Sequence, residues 1–323
     1  MPVVSVLLPN YNNAPFLNEA IDSVLNQSFN DFELVIVDDG SSDSSIDIIK
    51  KYTDHRIKLI LKDSNSGIVD TLNLGLEHCM GKYIIRMDGD DISIPDRFKK
   101  LVQFMETHPS IGACGSALKM FGQRNDLLSV NHGSKYLKAG MIHGATVPHA
   151  PAIFRKSVLD THRIKYRNNH PHMEDYDLFL RLKNVTDFEN LDEVLYLYRI
   201  NQHNVTVVNA SSRGLRFLDM YKEVIAEMGL EESDSNARLH YQFFQIVPVE
   251  FSPGEFNTYI QSVINANRSK IIYPEQELLQ IITKCWNTLC CRFIDLDKSN
   301  YLLFKKLPLK LSWKTYYYYL RKR

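Results

Sequence analysis

Apolar runs alternate with amphipathic segments through the first hundred residues of the chain. The apolar runs, which contain many β-branched residues and predict strands, are VVSVLLP (3–9), FELVIVD (32–38), RIKLIL (56–61) and KYIIRMD (82–88). The segments between them in which the apolar positions have helical spacing are residues 15–27, 41–52 and 66–79. Because strands alternate with helices at this spacing, we predict right-handed βαβ units and a mostly parallel sheet covered by helices on both faces.

The pattern becomes less regular after the fourth predicted strand. The elements predicted there are a helix (96–108), a strand-like run (111–121), a second helix (172–184) and a late strand (193–200). From about residue 210 the apolar positions have helical spacing only. We therefore predict an α/β domain over residues 1–209 and a helical C-terminal region over residues 210–323.

Composition and charge are those of an ordinary globular protein. Hydrophobic residues make up 44% of the 323 residues and charged residues 24%, and the formal net charge is zero, which argues against a disordered chain and against a nucleic-acid-binding protein. No run approaches the roughly 18 apolar residues of a spanning helix, and no basic segment precedes the first apolar run, so we expect a cytoplasmic protein. The five cysteines lack C-x-x-C spacing and are expected to be buried free thiols.

Polar clusters follow all four strands predicted in the first hundred residues. They are Pro9-Asn10-Tyr11-Asn12, Asp38-Asp39-Gly40-Ser41, Asn65-Ser66-Gly67 and Asp88-Gly89-Asp90-Asp91. In a parallel α/β sheet, ligands bind outside the carboxyl ends of the strands, because loops and helix N-termini converge there. The sequence therefore predicts a ligand site at one edge of the sheet.

The segment RMDGDDISIPDR (86–97) places three carboxylates within four positions, Asp88, Asp90 and Asp91. Their mutual repulsion is unfavourable unless a cation or hydrogen-bond donors lie among them. Mn²⁺ or Mg²⁺ that also binds a diphosphate would meet this requirement, because both ions prefer hard oxygen ligands. The alternative is a solvated acidic turn before the helix that begins near Pro95. Since neither G-x-G-x-x-G nor a P-loop is present, a metal ion and side chains would have to hold the phosphates of a nucleotide.

Four motifs, taken in order, resemble the inverting family 2 glycosyltransferases of GT-A fold. They are SVLLPNYNNAPFLNEAIDSVLNQSFNDFELVIVDDGSSDSS (5–45), two N-x-G motifs (65–67 and 73–75), RMDGDD (86–91) and MEDYDLFLRL (173–182). The resemblance covers residues 1 to about 206. It implies a Rossmann-like, mostly parallel sheet flanked by helices, with a nucleotide-binding half over residues 1–95 and an acceptor half over residues 96–209.

The resemblance also implies a UDP-sugar donor. Pro9 and Tyr11 correspond to residues that flank the uracil ring, and Asp39 corresponds to the residue that accepts a hydrogen bond from the ring N–H. Asp88 and Asp90 match the D-x-D motif, whose first aspartate lies toward the ribose and whose last lies toward the Mn²⁺ or Mg²⁺ ion. The further donor-binding residues that the resemblance suggests are Asn65, Gly67, Arg86 and Asp91. For Arg86, an ion pair with a neighbouring aspartate is an equally good interpretation.

The implied reaction is the transfer of a hexose or an N-acetylhexosamine to a hydroxyl of a glycan or a lipid-linked acceptor. The hydroxyl attacks the anomeric carbon on the face opposite the leaving diphosphate, so a general base has to take its proton. Asp175 corresponds to the base proposed in relatives, and a helix N-terminus favours its ionised form. Glu174 is assigned a supporting role. The expected setting is the synthesis of bacterial surface polysaccharide or lipopolysaccharide.

The chain departs from the family pattern after the late strand. Relatives commonly carry Y-R-x-H there, with a histidine that can reach the metal or the diphosphate, whereas this sequence has Asn201 at that position. His203 is a candidate replacement, and a solvated loop histidine is the alternative. His149 lies where relatives line the acceptor pocket, although a structural histidine beside a proline turn is an equally good interpretation.

Two other functions are compatible with part of this pattern. A sugar nucleotidyltransferase would need a glycine-rich, basic loop after the first strand, where this sequence has PNYNNAP instead. A glycosyltransferase-like binding or assembly module that has lost activity would explain the missing histidine, but it would not require the D-x-D motif or Asp175. We therefore keep the inactive module as the alternative to the enzyme.

The C-terminal tail combines basic and aromatic residues. Residues 299–323 contain seven basic residues and no acidic one, and four consecutive tyrosines and Trp313 are interleaved with them. Such a segment suits an anionic membrane surface, which would place the protein peripherally on the inner face of the cytoplasmic membrane. A C-terminal helix that packs its aromatic side chains on the protein is the alternative.

Overall fold

A computed structural model describes residues 1–170, 172–201, 213–247 and 250–296, together with Thr315, Leu320 and Arg321. The chain divides into two compact units. The first consists of Met1–Leu137 and Ala145–Ala210, and the second of Lys138–Gly144 and Ser211–Arg323. The sequence pattern gave no sign that the short segment 138–144 groups with the C-terminal helices. The predicted domain halves stay a prediction. His203 and nearly all of the tail lie outside the described residues.

The first unit contains a mixed sheet of nine strands with helices packed on it. The strands are β1 (Val4–Asn10), β2 (Phe32–Asp38), β3 (Ile57–Leu61), β4 (Tyr83–Arg86), β5 (Ile92–Ser93), β6 (Ile111–Gly122), β7 (Leu127–Leu128), β8 (Ile153–Arg155) and β9 (Asp187–Ile200). The helices are α1 (Ala14–Leu25), α2 (Ser45–Lys50), α3 (Ile68–His78), α4 (Arg97–Thr107), α5 (Ser134–Gly140, which continues into the second unit), α6 (Lys156–Thr161) and α7 (Glu174–Leu182).

The strand order in the sheet is β3-β2-β1-β4-β8-β6-β9-β5, with β7 paired to β6. Strands β3, β2, β1 and β4 run parallel, in a register that aligns Val4 with Phe32 on one side and with Tyr83 on the other. Strand β8 runs antiparallel to both β4 and β6, and β6 pairs in parallel with β9. The predicted α/β class is thus confirmed, with the parallel part formed by the four strands that were predicted first.

The central strands are buried because helices cover both faces of the parallel part. Every residue of β1 and of β2 is buried, as expected for parallel strands whose sequences are nearly continuous apolar runs. The loops that leave β1 and β2 meet at the carboxyl edge, where the amide of Asp39 donates to the carbonyl of Asn10 at 2.8 Å. The three shortest strands, β5, β7 and β8, were not predicted, since two or three residues carry no periodicity.

Four helices form the described part of the second unit after residue 212. They are α8 (Arg213–Glu227), α9 (Asp234–Gln245), α10 (Pro253–Lys270) and α11 (Glu275–Leu296). Helix α10 begins with a capping box in which the Ser252 and Glu255 side chains bind each other's backbone amides. His240 is buried between the Tyr259 hydroxyl (2.8 Å) and the Ile142 carbonyl (2.7 Å), and burial lowers its pKa to about 3. The predicted helical C-terminal region is confirmed.

The structure also bears on membrane-spanning helices and on the state of the cysteines. Within the described residues, we find no helix with both the length and the apolar character needed to cross a bilayer. All five cysteines are free thiols, and four of them are buried while Cys291 is partly exposed.

The core of the first unit generates a stability prediction. Phe98 in α4 is fully buried and packs edge-on against Phe32 with the ring centroids 5.5 Å apart. Replacing it by alanine removes a large apolar side chain and leaves a cavity, so Phe98→Ala should lower the free energy of unfolding by about 3 to 5 kcal/mol. Urea denaturation measures this loss. The control, Leu127→Ala, changes a side chain that is 64% exposed and should lose less than about 0.5 kcal/mol. Equal losses would contradict the packing described.

Candidate active site

A cavity of about 660 Å³ opens at the carboxyl edge of the parallel strands in the first unit. The candidate residues that line it are Pro9, Tyr11, Asp39, Asn65, Gly67, Arg86, Asp88, Asp90, His149, Glu174 and Asp175. The structure therefore brings together residues that are up to 166 positions apart in the sequence, from Pro9 to Asp175. Asp91 is not among the lining residues, and His203 lies outside the described residues.

Asp39 follows β2 and is held by the loop that follows β3. Its Oδ1 accepts hydrogen bonds from Lys62 Nζ at 2.5 Å and from the amide of Ser66 at 3.0 Å, and its Oδ2 accepts from the amide of Gly67 at 2.9 Å. Gly40 allows this loop to approach, because it has a φ of 70° and a Cβ there would lie 2.8 Å from the carbonyl carbon of Ser64. The carboxylate is thus held in one orientation at the edge of the cavity.

Arg86 and Asp88 form an ion pair at the end of β4. The guanidinium of Arg86 is almost fully buried, and burial alone would lower its pKa, but the charge of Asp88 outweighs burial and the pKa is raised. The amide of Asp88 donates to the hydroxyl of Tyr196 at 3.0 Å. Arg86 therefore neutralises the first carboxylate of the D-x-D motif and also lines the cavity.

Asp90 is the aspartate of the loop that combines a raised pKa with a place on the cavity wall. Burial and the nearby charge of Asp88 raise its pKa to about 6. Asn201, which directly follows β9, lies beside Asp90, and its amide nitrogen Nδ2 is 3.5 Å from Asp90 Oδ2. The residue that replaces the family histidine therefore contacts the D-x-D motif.

The predicted donor contact of Asp91 is not supported by its position. Its side chain is fully buried, and its Oδ1 accepts a hydrogen bond from the amide of Arg199 at 2.7 Å, while Oδ2 is buried without a hydrogen-bond partner. Burial, followed by the charges of Asp88 and Asp90, raises its pKa well above the usual range. Asp91 points into the protein because strand β9 supplies a backbone donor there, so it orients the loop.

Arg199 fixes the acidic loop from β9. Its Nε donates to the carbonyl of Asp90 at 2.7 Å, and its Nη2 is paired with Glu19 of α1. The guanidinium also stacks on two rings, those of Phe16 (4.6 Å) and Phe121 (4.4 Å). The loop is consequently attached to α1, β6 and β9 at once.

The two consecutive carboxylates of the E-D motif begin helix α7, and both line the cavity. Burial, and next the charge of Asp175, raise the pKa of Glu174 to about 7. Oε2 of Glu174 is buried without a hydrogen-bond partner. Asp175 Oδ1 accepts from the amide of Tyr176 at 2.7 Å, as the first turn of a helix allows. Glu174 is therefore largely neutral at a pH below about 7.

His149 is a neutral residue of the cavity wall. Burial lowers its pKa well below the usual value, and the charge of Arg86 adds to this effect. Its Nε2 lies 2.7 Å from the hydroxyl of Tyr166. Tyr166 is held in turn by Asn73, whose side chain bonds both its amide (2.9 Å) and its carbonyl (3.0 Å). The second N-x-G motif therefore positions the partner of His149.

Comparison with known proteins identifies the family of this chain. The family described as Glycosyl transferase family 2 matches residues 5–163. EpsE of Bacillus subtilis (strain 168), which is named as a glycosyltransferase, is 36% identical over 214 residues, which make up 61% of this chain and 73% of that protein. The chain belongs to glycosyl transferase family 2.

Two solved structures have the same fold. TarS of S. aureus, determined with UDP-GlcNAc, has a TM-score of 0.60 at 18% identity, over 91% of this chain and 88% of that chain. The mannosyltransferase PcManGT from Pyrobaculum calidifontis, determined with GDP-Man and Mn²⁺, has a TM-score of 0.53 at 14% identity, over 99% of this chain and 83% of that chain. The predicted GT-A fold of this family 2 member is confirmed.

The donor set of the acidic loop fits a hard divalent cation. Among the described residues, no three or more His, Cys, Asp or Glu side chains are grouped as a complete metal site. Asp88 and Asp90 nevertheless both line one cavity, and burial, followed by the charge of Asp88, raises the pKa of Asp90, which a cation would lower. Mg²⁺ and Mn²⁺ are commonly bound by one or two carboxylates together with phosphate oxygens and water. Two aspartates are therefore a common number of protein ligands for such an ion.

The structure adds cavity residues and supporting residues that the sequence motifs did not indicate. The additional lining residues include Asn10, Asn13, Ile68, Thr71, Met120, Leu128, Pro148, His172 and Tyr198. The Y-R motif at the end of β9 was a usable signal for Arg199. Nothing in the local sequence signals Arg97, which is fully buried and donates to the carbonyl of Arg86 at 2.6 Å.

The raised pKa of Glu174 predicts a pH dependence of stability. The folded protein keeps the proton up to a pH of about 7, whereas the unfolded chain loses it near the ordinary value of 4.5, so stability falls as the pH rises through this range. In chelator, the stability of Glu174→Gln relative to wild type should therefore rise by about 2 kcal/mol between about pH 5.5 and 8. Urea denaturation at both pH values measures the gain.

Glu106→Gln is the matched control for this titration. Glu106 is exposed and paired with Lys82, which lowers its pKa, so its contribution changes only under more acidic conditions. The difference between this variant and wild type should be the same at both pH values. A Glu174→Gln difference that is equally flat would show that Glu174 ionises normally.

Proposed function

We propose that this family 2 glycosyltransferase is a metal-dependent inverting enzyme that transfers a hexose or an N-acetylhexosamine from a UDP-sugar to a hydroxyl of a glycan or lipid-linked acceptor. The setting proposed is the synthesis of cell-surface polysaccharide. The proposal rests on one observation: a single cavity is lined by Asp39, by the D-x-D pair and by Asp175 at the start of α7.

The base of the donor is assigned to the edge formed by β1 and β2. Tyr11 is 46% exposed and lies on the cavity wall together with Pro9, so its ring is available to stack on a base. Asp39 offers an acceptor for a ring N–H. The UDP-GlcNAc complex of TarS supports a uridine nucleotide, and the proposal extends this choice to the present chain.

Asp88 and Asp90 would hold the Mn²⁺ or Mg²⁺ ion. When bound, the ion offsets the negative charge that develops on the diphosphate as the bond to the sugar breaks. Arg86 contributes a second positive charge beside Asp88. The Mn²⁺ in the PcManGT structure supports this assignment.

Asp175 is the proposed general base. At the N-terminus of α7 its negative charge is favoured by the helix dipole, and its neighbour Glu174 remains largely protonated at a pH below about 7. Asp175 then takes the proton of the acceptor hydroxyl while the diphosphate leaves from the opposite face of the sugar. Glu174 and His149 line the same wall and are assigned to support of the acceptor.

One observation favours the alternative of an inactive binding or assembly module. Asn201, which replaces the family histidine, contacts Asp90 through its amide nitrogen. An amide also offers an oxygen that can bind a hard cation after rotation of the side chain, so the replacement is compatible with a working site. The role of His203 and the binding of residues 299–323 to an anionic membrane surface remain predictions from the sequence.

The metal assignment predicts how UDP binds. Calorimetry with Mn²⁺ should give an affinity for UDP that falls at least about tenfold in chelator, and Asp90→Ala with Mn²⁺ should resemble wild type in chelator. Asp126→Ala, which removes an exposed carboxylate paired with Arg124, should bind as wild type does. Equal, weak binding in every condition would contradict the metal assignment and favour the inactive module.

The assignment of the base predicts a separation of binding from catalysis. Asp175→Asn should lower the rate of UDP release from a UDP-sugar with acceptor by about 10² to 10⁴-fold, because general-base catalysis is lost. Its affinity for UDP should change by less than about threefold, because the carboxylate is not needed for donor binding. The donors to be tested are the UDP forms of glucose, galactose and their N-acetyl derivatives.

Asp70→Asn provides the control for this experiment. Asp70 is an exposed carboxylate in the first turn of α3, so the substitution removes a similar interaction with a helix N-terminus, but Asp70 is not a lining residue of the cavity. It should leave the rate unchanged. If both variants react at the wild-type rate, another residue is the base.

A further inference from the structure

We propose that Lys62, which no motif singled out, is a positioning residue that makes the donor site selective for uracil by fixing the orientation of the Asp39 carboxylate. The proposal rests on the UDP-sugar donor proposed above. The selectivity for the base is thus assigned to the contact between Asp39, which directly follows β2, and Lys62, which directly follows β3.

All three hydrogens of the Lys62 ammonium group have partners within the protein. They are Asp39 Oδ1 at 2.5 Å, Thr71 Oγ1 at 3.1 Å and the hydroxyl oxygen of Ser66. The side chain is 13% exposed, and Lys62 does not line the cavity. Because its hydrogen-bonding capacity is used, Lys62 is not placed to bind the phosphates of the donor, and it acts through Asp39.

Asp39 has one acceptor position left after its contacts with the protein. A carboxylate offers about four lone-pair positions, and three of them receive Lys62 Nζ and the amides of Ser66 and Gly67. All three donors come from the segment 62–67. Asp39 lines the cavity, and its side chain is only 5% exposed. The remaining lone-pair position therefore has a fixed direction.

The loop that supplies these donors is itself closed by Lys62. Its ammonium group joins Asp39 to Thr71 in the first turns of α3, and the Thr71 hydroxyl donates to the carbonyl of Gly67 at 2.9 Å. Gly67 has a φ of 94°, a conformation that turns its amide toward Asp39 and that other residues rarely adopt. Removing the ammonium group would release both the carboxylate and the loop.

A single acceptor with a fixed direction distinguishes the two pyrimidine bases. Uracil presents a ring N–H to such an acceptor, whereas the corresponding ring nitrogen of cytosine has no hydrogen and carries a lone pair. An acceptor facing an acceptor leaves both groups unpaired, which weakens binding of the wrong base. A carboxylate that is free to rotate would lose much of this discrimination, because it could turn away from cytosine.

Lys58 provides a closely matched control. It lies four positions earlier, and its Nζ forms an ion pair with Glu33 at 2.5 Å, where the carboxylate is 6% exposed. Asp39 is 5% exposed in its own pair with Lys62 at the same distance. Glu33 and Lys58 do not line the cavity, so Lys58→Met removes a similar ion pair without touching the donor site.

The experiment compares the affinities of UDP and CDP by calorimetry in the presence of Mn²⁺. The proteins are the wild type, Lys62→Met, Lys62→Arg and Lys58→Met, and thermal unfolding checks that each is folded. We expect the wild type to prefer UDP by about tenfold or more, and Lys62→Met to reduce this preference at least about fivefold, mainly through weaker binding of UDP. Lys58→Met should keep the wild-type preference, and Lys62→Arg should recover part of it.

The outcomes separate this inference from the function on which it rests. A Lys62→Met protein that binds both nucleotides more weakly by the same factor would show a merely structural role and would overturn the proposal. If Lys62→Met bound UDP more tightly than the wild type does, the proposal would also be overturned, since Lys62 would then hinder the binding of the base to Asp39. If the wild type binds neither nucleotide, the proposed donor itself is wrong.

Discussion

The acidic loop after β4 imposes the constraint on which the rest of the site depends. Three carboxylates lie within four residues at the buried end of a strand, where both desolvation and mutual repulsion are unfavourable. Within the protein, Asp88 is paired with Arg86, and Asp91 accepts one hydrogen bond from the amide of Arg199, although burial and the neighbouring aspartates still raise the pKa of Asp91. Asp90 is left with a raised pKa and a place on the cavity wall. Of the two aspartates of the loop with raised pKa values, Asp90 is the one that lines the cavity, where a cation can bind.

Parallel topology explains how such a loop can be built. Strands β2, β1 and β4 are adjacent and parallel, so the carboxylates that follow β2 and β4 emerge at one edge, and segments near the ends of other strands hold each of them. Backbone amides after β3 hold Asp39, and the end of β9 holds the acidic loop. The donors to Asp39 reach its carboxylate, whereas Arg199 holds the acidic loop through the carbonyl of Asp90 and the carboxylate of Asp91. The side toward the cavity is consequently left for the ligand.

Much of the fold and of the cavity could be predicted, because both depend on local patterns. Strand β2 was predicted with its observed bounds and α4 within one residue at each end, since their apolar periodicities are strong. The buried position of Asp91 could not be predicted, because its partner, the amide of Arg199, lies 108 positions away. Lys62 was missed for a similar reason, as a lysine at the end of a strand is ordinarily solvated. Contacts between distant segments are not visible in one sequence.

The carboxylates of the site divide into two groups with different physical roles. Asp39 and Asp88 are satisfied by donors of the protein itself, and they therefore fix geometry before any ligand arrives. Asp90 and Glu174 have raised pKa values because burial and a neighbouring aspartate disfavour their charged forms. A ligand that brings a positive charge to the first, or a hydroxyl to the second, would relieve this unfavourable state. Binding energy would then be available at the positions where the reaction needs a cation and an acceptor.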